Sequence, residues 1–227
     1  MSPPVIPIPL RYGAAFLLKG REAVLVDCGN PGEAGLILHS LARHAVKPEE
    51  ISLLLVTHGH LDHYGSAREL RERIGVKIAV HRLDADAVRR GANAPLCAKG
   101  IAGRLAGIVV DMDGGVPEIG FEADILLHGE TSLEPYGVSG RVIETPGHTA
   151  GSVSVLLPGG EALVGDLLVG GLSRRRVYDH FLPIDKAKIR RSIRKVLDAG
   201  AKKLFASHGG PYKAETVERI LRRNETE

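Results

Sequence analysis

The sequence predicts an α+β protein of one domain, with helices layered on sheets. Three observations predict it. The 227 residues have an ordinary globular composition, 44% hydrophobic and 25% charged, which is enough for one sizeable core. The first half alternates strand-like apolar runs with helix-spaced ones, and the second half returns to short strands between Gly and Pro turns. No internal repeat, low-complexity tract or linker divides the chain.

Residues 5–10 carry two prolines in a strand-like run, as an edge strand tolerates and a central one does not. Ala15 to Leu18 and Ala23 to Val26 follow as a meander. The second of these ends in Asp27-Cys28-Gly29-Asn30-Pro31-Gly32, where Asp27 either caps the turn or holds a metal ligand from behind. Leu36, Ile37, Leu41 and Ala45 recur at helical spacing until Pro48, and Ile51 to Val56 reads as a buried strand. Ala67, Leu70 and Ile74 mark the next helix, closed by Gly75 before the strand Val76 to Val80. Leu83 to Arg90 suits a short helix, and the preceding His81 is read as an ordinary histidine. Between residues 91 and 120 lies an insert in which Cys97, Ile101, Leu105, Ile108 and Met112 share one helical face. It could cover the core, wall a substrate pocket or form a homodimer contact.

Strands are then expected at Ile125 to Leu127, Val138 to Glu144, Ser152 to Leu157 and Ala162 to Val164. Asp185 is placed to cap a helix whose core face is Ile189, Ile193, Val196 and Leu197. Lys203 to Ala206 is read as the last strand, and residues 213–223 as the last helix.

Composition also bounds the function. A net charge of +3 is too small for nucleic-acid binding, and the cluster Arg174-Arg175-Arg176 suits a solvated loop. Cys28 and Cys97 stand far apart and outside any CxxC pair, which points to small core residues in a reducing compartment. The apolar run Ala14 to Leu18 is too short for an export signal or a membrane span, so a cytoplasmic protein is expected.

The chemistry concentrates in Thr57-His58-Gly59-His60-Leu61-Asp62-His63-Tyr64-Gly65, directly after the buried strand. Along an extended backbone side chains two apart share a face, so His58 and His60 can grip one cation. Asp62 and His63 fall where the chain turns into a helix and leave in another direction, which suggests a second cation. Three later turns each present one more ligand-type side chain: His148 in Thr145-Pro146-Gly147-His148-Thr149-Ala150-Gly151-Ser152, Asp166 after a strand, and His208 in Ser207-His208-Gly209-Gly210. In a layered sheet protein strand ends converge on one cleft, where all seven could meet.

These HxHxDH, TPGHTAGS, GD and SHGG stretches, with the early VLVDCG turn, resemble the successive motifs of the metallo-β-lactamase fold hydrolases over nearly the whole chain. The resemblance implies a four-layer αββα sandwich. It places one metal on His58, His60 and His148, a second on Asp62, His63 and His208, and Asp166 between them. Imidazole and carboxylate ligands without thiolate suit two divalent ions, zinc first, with iron or manganese also accommodated. Such a pair shares a water, lowers its pKa and supplies a hydroxide nucleophile, with Asp62 and Asp166 as the catalytic carboxylates. The TPGHTAGS and GDLLVGG segments look closest to small thioesterases of the glyoxalase II type, acting on a thioester or related ester or lactone of a small molecule. The alternatives are a lactonase, whose usual Tyr is replaced by Val169, a mononuclear iron persulfide dioxygenase on His58, His148 and Asp166, a phosphodiesterase, or a metal-stabilised binding module without catalysis.

Overall fold

The computed structural model describes residues 2–96, 116–170, 177–178 and 185–223. The helix expected from Cys97 to Met112 and the three consecutive arginines lie outside them. The chain opens with β1 (Val5–Pro9), β2 (Ala14–Lys19) and β3 (Ala23–Val26), then α1 (Ala34–Arg43), β4 (Ile51–Leu55), α2 (Leu61–Tyr64), α3 (Ala67–Ile74), β5 (Ile78–His81), α4 (Ala85–Arg89) and β6 (Ile125–Leu127). These six strands form one sheet in sequence order, antiparallel as far as β3 and parallel from there to β6. β1 lies at the edge, where Pro7 and Pro9 need donate nothing outward.

The second sheet takes β7 (Thr131–Ser132), β8 (Arg141–Glu144), β9 (Val153–Leu156), β10 (Glu161–Leu163), β13 (Lys203–Ala206) and β14 (Gly209–Lys213). Their order is β14-β13-β10-β9-β8-β7, with β10 and β13 parallel and the other pairs antiparallel. A small ribbon of β11 (Val169–Gly170) and β12 (Val177–Tyr178) stands apart, and α5 (Lys186–Asp198) and α6 (Ala214–Arg223) complete the described elements.

Two expectations about strands are corrected. Lys203 to Ala206 is followed by another strand, β14, because the turn at Gly209 and Gly210 returns the chain alongside β13. The strand expected from Val138 begins only at Arg141, since Gly137 at φ +75° has just turned the chain and Val138 is buried before pairing starts. The Asp185 cap forms as expected, its Oδ1 accepting from the Lys188 amide at 3.1 Å.

The period-two alternation of β3 shows how four layers arise. Ala23 and Leu25 face Ile37, Leu41 and Leu70 of the helices on one side. Val24 and Val26 face inward and share a core with Phe16, Leu55, Val155, Leu163 and Phe205 of both sheets. On the far side Ile189, Ile193, Val196, Val217 and Leu221 of α5 and α6 cover Ala162 and Leu204. The result is the αββα sandwich. Leu55→Ala, at a fully buried position between the sheets, should cost about 2–5 kcal/mol and lower the melting temperature, because the cavity cannot collapse from both sides. Leu36→Ala, on an exposed side of α1, should stay within about 0.5 kcal/mol in the same denaturation series.

The topology also aligns the loops that carry chemistry. The parallel strands β3, β4 and β5 end at Asp27, His58 and the segment leading to Asp84, and β10 and β13 end at Asp166 and His208. All five positions therefore lie where strands of the two sheets run out.

Candidate metal centre

At this edge the loops bring together three overlapping groups: His58, His60 and His148; His58, His63 and Asp166; and Asp62, His63 and His208. Within each group the nitrogen and oxygen atoms that could bind an ion lie within 4.8 Å of one another. All seven side chains singled out from the sequence meet here. His60 is extended and caps α2, which places Asp62 in that helix's first turn and buries His63 beneath it. Asp166 sits in the short turn that follows β10.

Four of the imidazoles are held by the far nitrogen, and the partner decides which nitrogen keeps a lone pair. His60 Nε2 donates to the Ala94 carbonyl at 2.9 Å, so its Nδ1 faces His148 Nε2, also at 2.9 Å. His208 Nδ1 donates to the Tyr12 carbonyl at 3.0 Å. The other two of the four, His58 and His63, are joined through Asp27. His63 Nδ1 donates to Asp27 Oδ2 at 2.9 Å, and Thr57 Oγ1 donates to the same oxygen at 2.8 Å. Because the Thr57 hydroxyl is already donating, it accepts from His58 Nδ1 at 3.1 Å. Asp27 thus turns the Nε2 atoms of both His58 and His63 into the site. Of the two roles open to Asp27 in the sequence, orienting ligands is the one the structure shows.

Buried Nε2 atoms of His58 and His63 make no hydrogen bond. In a protein interior such atoms are costly unless an electrophile takes their lone pairs, and imidazole with carboxylate is a donor set that divalent zinc, iron or manganese accepts. The residues present fit the metals.

Electrostatics point the same way. His58 is held well below the ordinary imidazole value, first by burial and then by the surrounding imidazoles, so it stays neutral and keeps a lone pair for a metal. Burial would also lower His63, but the carboxylates of Asp62, Asp27 and Asp166 outweigh it and raise the group to about 10. That position favours positive charge, whether on a proton or on an ion. Burial would raise Asp62, yet His63 and His208 bring it well below the usual carboxylate range.

Asp166 stands between the groups. Its Oδ2 is 3.6 Å from His148 Nε2, while its Oδ1 is 3.5 Å from His63 Nε2 and 3.6 Å from His208 Nε2.

Residues 8–208 match the profile of the metallo-beta-lactamase superfamily. The chain belongs to that superfamily. Among curated relatives of this superfamily protein, "Metallo-beta-lactamase domain-containing protein 1" of Xenopus laevis is 27% identical over 208 residues, covering 88% of this chain and 72% of the relative. "Probable metallo-hydrolase YqgX" of Bacillus subtilis is 29% identical over 172 residues, covering 73% and 71%. A metallo-beta-lactamase family protein from Thermus thermophilus superposes with a TM-score of 0.69 at 23% identity, over 98% of this chain and 79% of that one. Superfamily membership together with the three ligand groups makes the protein a metal-dependent hydrolase.

Three features of the site were not expected from the sequence. Asp84, which is buried, accepts from Gly59 N, Thr149 Oγ1 and Gly151 N at 2.8, 2.7 and 3.0 Å. Ala94 is the second, since its carbonyl holds His60. Glu33 is the third, buried and accepting from the Arg11 amide at 2.7 Å in the loop whose Tyr12 carbonyl holds His208. The Asp84 partners and the Arg11 amide on Glu33 are backbone and hydroxyl groups from distant segments, which no local pattern announces. His81, expected to be ordinary, is buried and paired with Glu144 at 2.9 Å, away from the seven.

Proposed function

We propose that the protein hydrolyses a thioester, or a related ester or lactone, of a small molecule on a binuclear metal centre. His58, His60 and His148 hold one ion, Asp62, His63 and His208 hold the other, and Asp166 serves both. The observation that carries this reading is the two-faced position of Asp166, with one oxygen toward His148 and the other toward His63 and His208. Seven ligand-type side chains exceed the four that one tetrahedral site takes. When bound, two divalent ions, zinc first, supply a water of lowered pKa and positive charge for a developing oxyanion.

The chain's own residues do the rest. Asp62, whose side chain is 37% exposed against 10% for Asp166, stands at the rim and, kept ionised by His63 and His208, orients the incoming water. Water adds to the acyl carbon, the carbon–sulfur or carbon–oxygen bond breaks, and the departing thiol or alcohol takes a proton. Beside His208 opens a groove of about 490 Å³, walled by Pro7, Pro9, Phe16, Phe205 and Pro211. Its apolar lining suits an acyl group and favours the thioester and ester readings over a phosphodiester.

The insert at residues 91–120 borders the centre in this reading. Its first residues run along the ligand loops, with Ala94 N donating to Gly59 O and Leu96 bridging to Thr149. Among the described residues no helix is long and apolar enough to cross a membrane. Metal analysis of purified protein, with a panel of thioesters, lactones and phosphodiesters, tests the proposal. About two ions per chain and turnover of thioesters, lost on chelation and restored by zinc, are expected. One ion per chain under metal-replete conditions, with oxygen consumed on a persulfide, would point instead to the mononuclear iron dioxygenase.

A further inference from the structure

Asp84 occupies the N-cap of α4, where an aspartate ordinarily accepts from the first free amides of its helix. It makes no such bond. The side chain is 1% exposed and both of its oxygens turn to other segments. Oδ2 accepts from Gly59 N at 2.8 Å and from Thr149 Oγ1 at 2.7 Å, and Oδ1 accepts from Gly151 N at 3.0 Å. Gly59 lies between His58 and His60 on the loop after β4 of the first sheet. Thr149 and Gly151 follow His148 on the loop between β8 and β9 of the second sheet. A buried carboxylate forgoing its own cap to bridge these two loops is an expensive use of an aspartate unless the bridge is needed.

The local sequence accommodates it. A Cβ at Gly59 would lie 3.0 Å from the Asp84 Cβ, and one at Gly151 would lie 2.6 Å from Asp84 Oδ1. Side chains at either position would push the carboxylate away from the amides it binds.

We propose that Asp84 is a positioning residue for the three-histidine set, clamping the His58–His60 loop of one sheet to the His148 loop of the other. It touches no reacting atom. Its role is to hold His60 Nδ1 and His148 Nε2 at their 2.9 Å separation before an ion arrives, so that binding does not have to gather two loops that belong to different sheets. The inference rests on the reading that His58, His60 and His148 hold one ion.

The test uses the full chain. Zinc is titrated into metal-free wild type, Asp84→Asn, Thr149→Val, Thr149→Ser and His148→Ala, and amide hydrogen exchange at Gly59 and Gly151 is followed in the metal-free proteins. In Asp84→Asn one of two zinc sites should weaken by about 10- to 100-fold while the other is unchanged, the range usual for partners that hold ligands. Exchange at the two glycine amides should accelerate with circular dichroism unaltered. Thr149→Val removes one of the three bonds and should show a smaller loss at the same site, and Thr149→Ser, which keeps the hydroxyl, should restore it. Two-site binding in Asp84→Asn indistinguishable from wild type overturns the inference. If Asp84→Asn fails to fold, Thr149→Val decides: a loss at one site supports the clamp, and wild-type binding overturns it. Two unaltered zinc sites in His148→Ala would refute the ligand reading itself, a result separate from any of these.

Discussion

Asp166→Ala is expected to abolish hydrolysis while leaving the fold in place. The core of this protein is built from three apolar layers to which Asp166 contributes nothing, and its side chain sits in a turn beyond the end of β10. Removing it should therefore cost little packing. Catalysis should fall far more, because this carboxylate faces both ligand groups and no other described side chain does so with two separate oxygens. Single electrostatic elements at reacting centres are typically worth about 10² to 10³ in rate, and one that also holds two cations together should reach at least that. His58→Ala should behave alike, since its Nε2 faces the same cluster. Turnover, metal content and melting temperature measured on each variant check the result, with His128→Ala, at an exposed position on the β6 side, as the silent control. Near-normal turnover in Asp166→Ala would move the site elsewhere.

Asp27→Ala should damage both stability and catalysis. The carboxylate is 1% exposed and accepts from the Thr57 amide at 2.8 Å, the Thr57 hydroxyl at 2.8 Å, His63 Nδ1 at 2.9 Å and the Ser207 hydroxyl at 3.3 Å. Truncation leaves these buried donors without an acceptor, at about 1–3 kcal/mol for each that water cannot reach. It also frees His63 to rotate and breaks the path through Thr57 that orients His58, so activity should drop by about 10- to 100-fold even at saturating zinc. The backbone adds a further term. Asp27 lies at φ +61°, a conformation that Asn tolerates and Ala does not. Asp27→Asn should therefore recover much of the lost melting temperature but little of the activity, because an amide cannot accept from all four donors. A melting temperature for Asp27→Ala equal to that of wild type would show that the network contributes nothing to stability.

The seven converging side chains were legible because each stands in a short motif with its own local cause. His58 and His60 stand two apart and do meet in one group, although the chain between them bends, with His60 N donating to His58 O at 3.0 Å, instead of staying extended. Asp62 and His63 follow at a helix start, and His148, Asp166 and His208 sit in Gly-rich turns at strand ends. The layers were legible too, since the alternation in β3 and the helical spacing in α1, α3 and α5 depend only on neighbours in the chain. Strand limits were less so: β14 follows a turn whose pairing depends on β13, and nothing within Gly209–Lys213 resembles an isolated strand.

What only the tertiary structure decided is how those ligands are held. Asp27 read equally well as a turn cap, and Asp84 and Glu33 stood in no motif of their own. Each turns a buried carboxylate toward groups from other segments: His63, Thr57 and Ser207 for Asp27, Gly59, Thr149 and Gly151 for Asp84, and, beside the neighbouring Asn30 amide, Arg11 for Glu33. Ligand identity follows from the chemistry of a side chain and its immediate spacing, which the sequence carries. Ligand orientation follows from hydrogen bonds between segments up to 196 residues apart, and these exist only once the two sheets have packed and brought the loops to one edge.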